Sequence, residues 1–229
     1  MIEKKILKYS IWFSLVFQIL IMLISLKGIF LTVPEKDIIL IDILKLETIV
    51  QIIELIFYCW VFFTVTNIKT LASTRYFDWV ITTPTMLLST IIFMKYQEFK
   101  EKKQLNNKKL TFKNFIKENK QPIVLIFLFN LGMLFFGYLA EINYLSKFIA
   151  VPIGFLFFQK AFNIIYFNYA NKSDLGLKLF YFTYIVWGMY GIAALLTNYY
   201  KNIFYNILDI ISKNFYGLFI YYKILQIST

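Results

Sequence analysis

Seven runs of predominantly apolar residues divide the chain, at approximately 6–31, 38–65, 76–94, 121–140, 145–167, 177–197 and 203–224. A helix rising about 1.5 Å per residue needs about 20 such residues to cross a hydrocarbon core, so each run predicts one crossing. Every connection is short except 95–120, which is rich in lysine and asparagine and reads as a solvated loop holding an amphipathic turn. No internal repeat of about 20–50 residues is visible. The expected fold is all-α, a single domain over 1–229 forming a bundle of seven transmembrane helices. The N-terminal lysines followed by an apolar run have the outline of a signal sequence. The run is long, however, and SLKGIF supplies no small-x-small cleavage site, so it is expected to remain as the first helix.

Composition strengthens this picture. Apolar residues make up 59% and aromatic residues 21% of the 229 positions, with a mean hydropathy of +0.64. An ordinary soluble domain has roughly 45–50% apolar residues. Lys and Arg number 24 against 13 Asp and Glu, and they cluster between the apolar runs. That placement points to membrane topology rather than to nucleic acid. Nine lysines fall within 95–120 alone, and the positive-inside rule then puts the C-terminus in the cytoplasm and the N-terminus outside. The chemistry is narrowed by what is scarce. A single cysteine, Cys59, leaves no disulfide framework and no cysteine metal cluster. Histidine is absent, which excludes imidazole ligands, Ser-His-Asp triads and histidine acid–base chemistry. No metal site and no enzymatic activity are expected.

A few residues break the apolar pattern, and ionisable groups inside a membrane span are costly enough to mark function. The third run contains RYFDWVITTP. Its Arg75 is the chain's single arginine and lies three positions before Asp78 on one helical face, with Thr82 and Ser89 returning to that face further along. The bland alternative is an Arg–Asp pair that only fixes packing. The seventh run contains DIISK, with Asp209 one turn before Lys213, and a neutralising bridge is the bland alternative there. Lys213 also faces Asp78 across the bundle. A buried amine is a nucleophile toward an aldehyde, and two carboxylates at about 4 Å each favour the resulting cation by about 4 kcal/mol at an effective dielectric near 20. In the second run Glu47, Gln51, Glu54 and Tyr58 share one face. Carboxylates stacked about 10 Å apart attract hydrated cations. Against this, Glu47 near the boundary can reach water and Glu54 can be a protonated structural carboxyl. Lys160 in the fifth run has no nameable partner and is expected to snorkel to the cytoplasm.

RYFDWVITTP together with DIISK resembles the microbial (type 1) rhodopsins, seven-helix retinal proteins, across all seven runs in order. The resemblance implies that Lys213 carries all-trans retinal as a Schiff base, with Asp78 and Asp209 as counter-ions and Asp78 as proton acceptor. It implies Arg75 in the extracellular half and Trp79, Thr82 and Thr83 around the chromophore. WGMYG resembles the family's Trp-x-x-Tyr-Pro element, placing Trp187 and Tyr190 against the polyene, with Gly191 where proline is usual. Proton pumps of this family carry a carboxylate eleven residues after the first counter-ion, and that position here is Ser89. Channelrhodopsins carry helix 2 glutamates, and the viral branch looks closer still, since Ser14, Glu47, Glu54 and Asn214 match its marked positions. The reading is a multi-pass membrane protein gating monovalent cations or protons, with Ser14, Glu47, Glu54, Arg75 and Asn214 along the ion path. It implies a virus-encoded protein in a host cell membrane, compatible with a homo-oligomer and without a nucleic-acid partner. An outward proton pump using external donors or Glu47 is the nearest rival. A sensory rhodopsin acting through a partner and a transporter or receptor without retinal are further ones.

Overall fold

Large apolar side chains point out of this bundle and many polar ones point in, which is the reverse of a protein folded in water. On the first helix, α1 (Ile2–Ile29), Trp12, Phe13, Leu20 and Leu23 are exposed while Ser14, Gln18 and Ser25 are buried. The structure, a computed structural model, describes residues 2–64, 68–105 and 110–228. Among these the regular elements are all helical. After α1 come α2 (Ile39–Thr64), α3 (Ile68–Glu101), a short α4 (Phe112–Glu118), α5 (Lys120–Glu141), α6 (Lys147–Asn168) and α7 (Asp174–Ala194). The last crossing is composite: α8 (Asn198–Asp209), a π-turn (Ile210–Asn214) and α9 (Phe215–Leu225). Five helices are individually long and apolar enough to cross a membrane. The other two crossings are α2 and the α8–α9 composite.

Neighbouring crossings pack in a ring: α1 on α2, α2 on α3, α3 on α5, α5 on α6, α6 on α7, and α7 on α8, with α8 and α9 closing back onto α1. Seven crossings put the two termini at opposite ends, called below the N-terminal and C-terminal faces. Side chains and caps complete the backbone's hydrogen bonding where no water can do so. Thr82, Thr83 and Thr85, around Pro84 in α3, donate to the carbonyls of Asp78, Trp79 and Ile81. Ser173 and Thr111 cap α7 and α4 through Gly176 N–H and Asn114 N–H. Asn143, with φ of 58°, makes the tight turn between α5 and α6, a left-handed conformation that Asn tolerates.

The third run is longer than its apolar length predicts, starting before residue 76 and ending past 94 at Glu101. The C-terminal extension is amphipathic rather than loop. Tyr96 and Phe99 are buried, with the Tyr96 hydroxyl donating to Asp37 at 2.6 Å, while Lys95 and Lys102 pair with Glu98 at 2.8 and 2.7 Å. The segment expected as a solvated loop over 95–120 therefore starts helical and includes α4, whose Phe115 is buried; its residues 106–109 lie outside those described. The predicted end of the second run at Val65 also lies outside them. The sixth crossing is shifted toward its N-terminus, and the seventh begins at Asn198 rather than near 203.

Candidate functional site around Lys213

Lys213 sits where the last crossing departs from α-helical register. Through the π-turn Phe215 N–H reaches Ile210 O, five residues back. Such turns are rare and recur at functional positions. Ser212, Lys213 and Asn214 are buried within it.

Three carboxylates surround the amine. Lys213 Nζ donates to Asp78 Oδ2 at 2.9 Å and lies 3.2 Å from Glu54 Oε1 and 3.4 Å from Asp209 Oδ1. The structure thus brings together Lys213, Asp78 and Asp209 as expected. It adds Glu54, which the sequence reading places only along an ion path. At an effective dielectric near 20 each contact attracts by roughly 5 kcal/mol. With Arg75, the cluster holds two cations against three carboxyls, so it is neutral only when one carboxyl carries a proton.

Arg75 does not pair with Asp78, its neighbour on α3. Its Nη1 donates to Asp209 Oδ2 at 3.0 Å and to the Tyr58 hydroxyl at 3.3 Å, and its Nε to Asn202 Oδ1 at 3.3 Å. A close hydrogen bond joins its Nη2 to Asn206 Oδ1. The guanidinium also lies over the rings of Phe57, Tyr58 and Tyr205, 5.4 to 5.7 Å from their centroids. An arginine with no water around it needs all five donors satisfied, and residues reaching across the bundle satisfy more of them than Asp78 one turn away on the same helix. Asp209 is therefore gripped from three sides: by Arg75, by Tyr58 at 2.9 Å and by the Tyr190 hydroxyl at 2.8 Å. Sequence reading missed Asn202 and Asn206, although Asn202, Asn206, Asp209 and Lys213 repeat the spacing of Glu47, Gln51, Glu54 and Tyr58.

On one side of Lys213 lies a cavity bounded by α3, α5, α6, α7, α8 and the π-turn. Trp79, Thr83, Trp187 and Tyr190 line it as expected, with Met86 and Phe158. Thr82 does not line it; that side chain is buried and its hydroxyl is spent on Asp78 O. Gly191 replaces the usual proline where a Cβ would stand 2.6 Å from the Phe155 ring, so its smallness admits that ring to the wall. Asn130 of α5, also missed, donates to Thr83 Oγ1 at 2.8 Å and ties α5 to α3 behind the cavity. Lys160 points its amine over Phe129, 5.6 Å from the ring centroid. A cation–π contact is thus part of its environment.

The other side of Lys213 is polar. Ser14 donates to Asn206 O at 3.2 Å. Gln18, Gln51, Glu54 and Asn214 are all fully buried. Both amide atoms of Gln18, Gln51 and Asn214 lack a hydrogen-bond partner in the protein. Ser89 donates a close hydrogen bond to Glu47 Oε1, so the position lacking a carboxylate on α3 holds one that arrives from α2.

Comparison with known proteins supplies a framework for this geometry. Residues 7–227 match the family described as bacteriorhodopsin-like protein. No curated protein matches the sequence. The fold is similar to the crystal structure of viral rhodopsin OLPVRII, with a TM-score of 0.81 and 25% identity over 97% of this chain and 99% of that one. It is also similar to thermophilic rhodopsin from Rubrobacter xylanophilus, with a TM-score of 0.75 and 16% identity over 97% of each chain. Blue light-absorbing proteorhodopsin from Med12 gives a TM-score of 0.72 and 17% identity over 96% of each chain.

Proposed function

This chain belongs to the bacteriorhodopsin-like family of microbial rhodopsins, and on that premise we propose that it is a retinal-binding, light-gated cation channel. Its N-terminal face would lie outside and its C-terminal face in the cytoplasm, as the distribution of lysines favours.

The site suits a long apolar aldehyde. The cavity wall is aromatic and aliphatic, and Lys213 is part of it. Retinal joined to Lys213 Nζ supplies a light-driven change of shape at that nitrogen. Everything else is done by the chain. Trp79, Trp187 and Tyr190 hold the polyene and exclude water. Asp78, Asp209 and Glu54 keep the nitrogen cationic in the dark, and Asp78, the nearest at 2.9 Å, is placed to take its proton. Arg75 anchors Asp209 and closes the N-terminal side of the cluster. When the Lys213 nitrogen moves, the three acids lose their common cation. Glu54 and Asn214 can then turn toward the polar seam.

The observation that carries the channel reading is that seam. Acids and amides buried between α1, α2 and the last crossing are without full protein partners, and such groups in a membrane interior need water or ions. Voltage-clamped cells supplied with retinal test it. A channel gives photocurrent that changes sign with voltage and follows the cation gradient. A current of fixed sign at all voltages contradicts the reading.

A second reading, an outward proton pump, is favoured by one contact. Glu47 meets Ser89 at the position where pumps of this family carry their internal donor, so a carboxyl from α2 stands in for one on α3. The same recording separates the two readings.

A further inference from the structure

Uncharged polar residues in a membrane interior are easily taken for packing, yet two glutamines here have no packing partner for their amides. Gln18 and Gln51 are fully buried, and none of their four amide atoms hydrogen-bonds to the protein. The buried hydroxyl of Ser25 is likewise without a partner. The three residues belong to adjoining helices. Ser14, Gln18 and Ser25 recur along one face of α1, and Gln51 lies one turn from Glu54 on α2. Their depth follows from pairs already described. Asn206 meets Ser10 and Ser14 on α1; Gln18 lies one turn beyond Ser14 and Lys213 two turns beyond Asn206 on a parallel crossing, so Gln18 is no nearer the C-terminal face than Lys213. Gly217 on α9 is the third wall. A Cβ there would overlap the Gln51 amide and lie 3.7 Å from Ser25 Oγ, so only glycine leaves that amide its place.

Burying an amide without a partner costs about 1–3 kcal/mol on the mutational scale. Gln51 and Ser25 meet beside Gly217, with Gln18 two turns before Ser25 on α1, and such groups are retained only where something polar passes along them. We propose that Gln51 and Ser25 form a neutral constriction on the C-terminal side of Lys213, approached past Gln18, where a monovalent cation exchanges part of its water shell for amide and hydroxyl oxygens. Neutral oxygens suit this task because they replace hydration without trapping the ion, as a carboxylate ring would. Beyond the constriction the seam is shut by apolar contact. Tyr221 and Leu44 press so closely on Gly28 that a Cβ there would be 2.5 and 2.7 Å from their carbons. Moving Tyr221 is then what connects the constriction to the C-terminal face. This inference rests on the channel reading.

The test uses the full chain with retinal in voltage-clamped cells. Gln18→Leu and Gln51→Leu keep the side-chain volume and remove the oxygens. Each is expected to cut photocurrent per coloured molecule about tenfold, with the visible spectrum unchanged. Gln51→Glu is expected to keep the current and shift its reversal potential under mixed Na⁺ and K⁺ gradients. Gly217→Ala, which crowds the Gln51 amide, is expected to lower it, and Tyr221→Ala to raise it. A readout that needs no photocurrent is accessibility: in a Cys59→Ser background, Gln51→Cys should react with a small cationic thiol reagent added to the aqueous phase. Undiminished current in coloured Gln18→Leu and Gln51→Leu proteins, or an unreactive Gln51→Cys, overturns the constriction. A wild-type current that never reverses overturns the channel reading itself, whereas a reversing current indifferent to these substitutions overturns the constriction alone.

Discussion

Two unlike regions meet at Lys213. The cavity bounded by α3, α5, α6 and α7 is walled by rings and aliphatic groups, and its polar side chains have partners: Thr83 with Asn130, Tyr190 with Asp209 and Ser212. The seam between α1, α2 and the last crossing is lined by acids and amides, and its side chains go unpaired: Gln18, Gln51 and Asn214. The first region is finished as protein and asks for an apolar guest. The second leaves buried polar groups without protein partners. A single nitrogen touching both lets a change on one side act on the other, since the three carboxylates around it bridge from α3 through α2 to α8.

Substitutions that affect only one region sharpen this contrast. The largest effect is expected where the regions join. Lys213→Ala should abolish visible absorbance in retinal-supplied membranes, and colour surviving that change would break the assignment at its root. Next is the anchor of the cluster. Asp209→Leu strands Arg75 as an uncompensated buried charge, a loss of about 3–5 kcal/mol, which should appear as lost expression or a sharply lowered melting temperature. Within the seam, Glu54→Gln keeps shape and removes a negative charge from the Lys213 nitrogen. Photocurrent should fall about tenfold while the protein stays coloured, and equal loss of colour and current would mean that the two regions are not separable. On the cavity side alone, Gly191→Ala pushes the Phe155 ring toward the guest and should shift the absorption maximum while current per coloured molecule is kept. The smallest change, Thr83→Val, removes the hydrogen bond to Asn130 and about 1 kcal/mol, which should lower the melting temperature by about 2–4 °C for a chain of this size.

The two regions also differ in how far they can be read from residues alone. Lys213, Asp78, Asp209 and Arg75 stand out because a charge in an apolar run has few explanations, and Glu47, Gln51, Glu54 and Tyr58 because their spacing repeats a helical face. Gln18, Ser25 and Asn130 carry no charge and no repeat strong enough to separate them from ordinary polar residues. What distinguishes them is the absence or presence of a partner, which only packing reveals. Arg75 is the instructive case, because the structure goes against its bland alternative. Proximity along α3 suggests Asp78, but a guanidinium needs several acceptors and finds them across the bundle in Asp209, Asn202 and Asn206. The ends of α3 escape for a different reason. Lysines between 95 and 103 mark solvent, yet Tyr96 and Phe99 between them still face the core, so the helix runs on.

The most direct test of the account is where retinal is bound. Purified protein regenerated with retinal, treated with borohydride under illumination and digested, should yield a retinyl adduct on the peptide containing Lys213. An adduct on another lysine, or none on a protein that has taken up colour, would contradict the claim that this nitrogen joins the two regions.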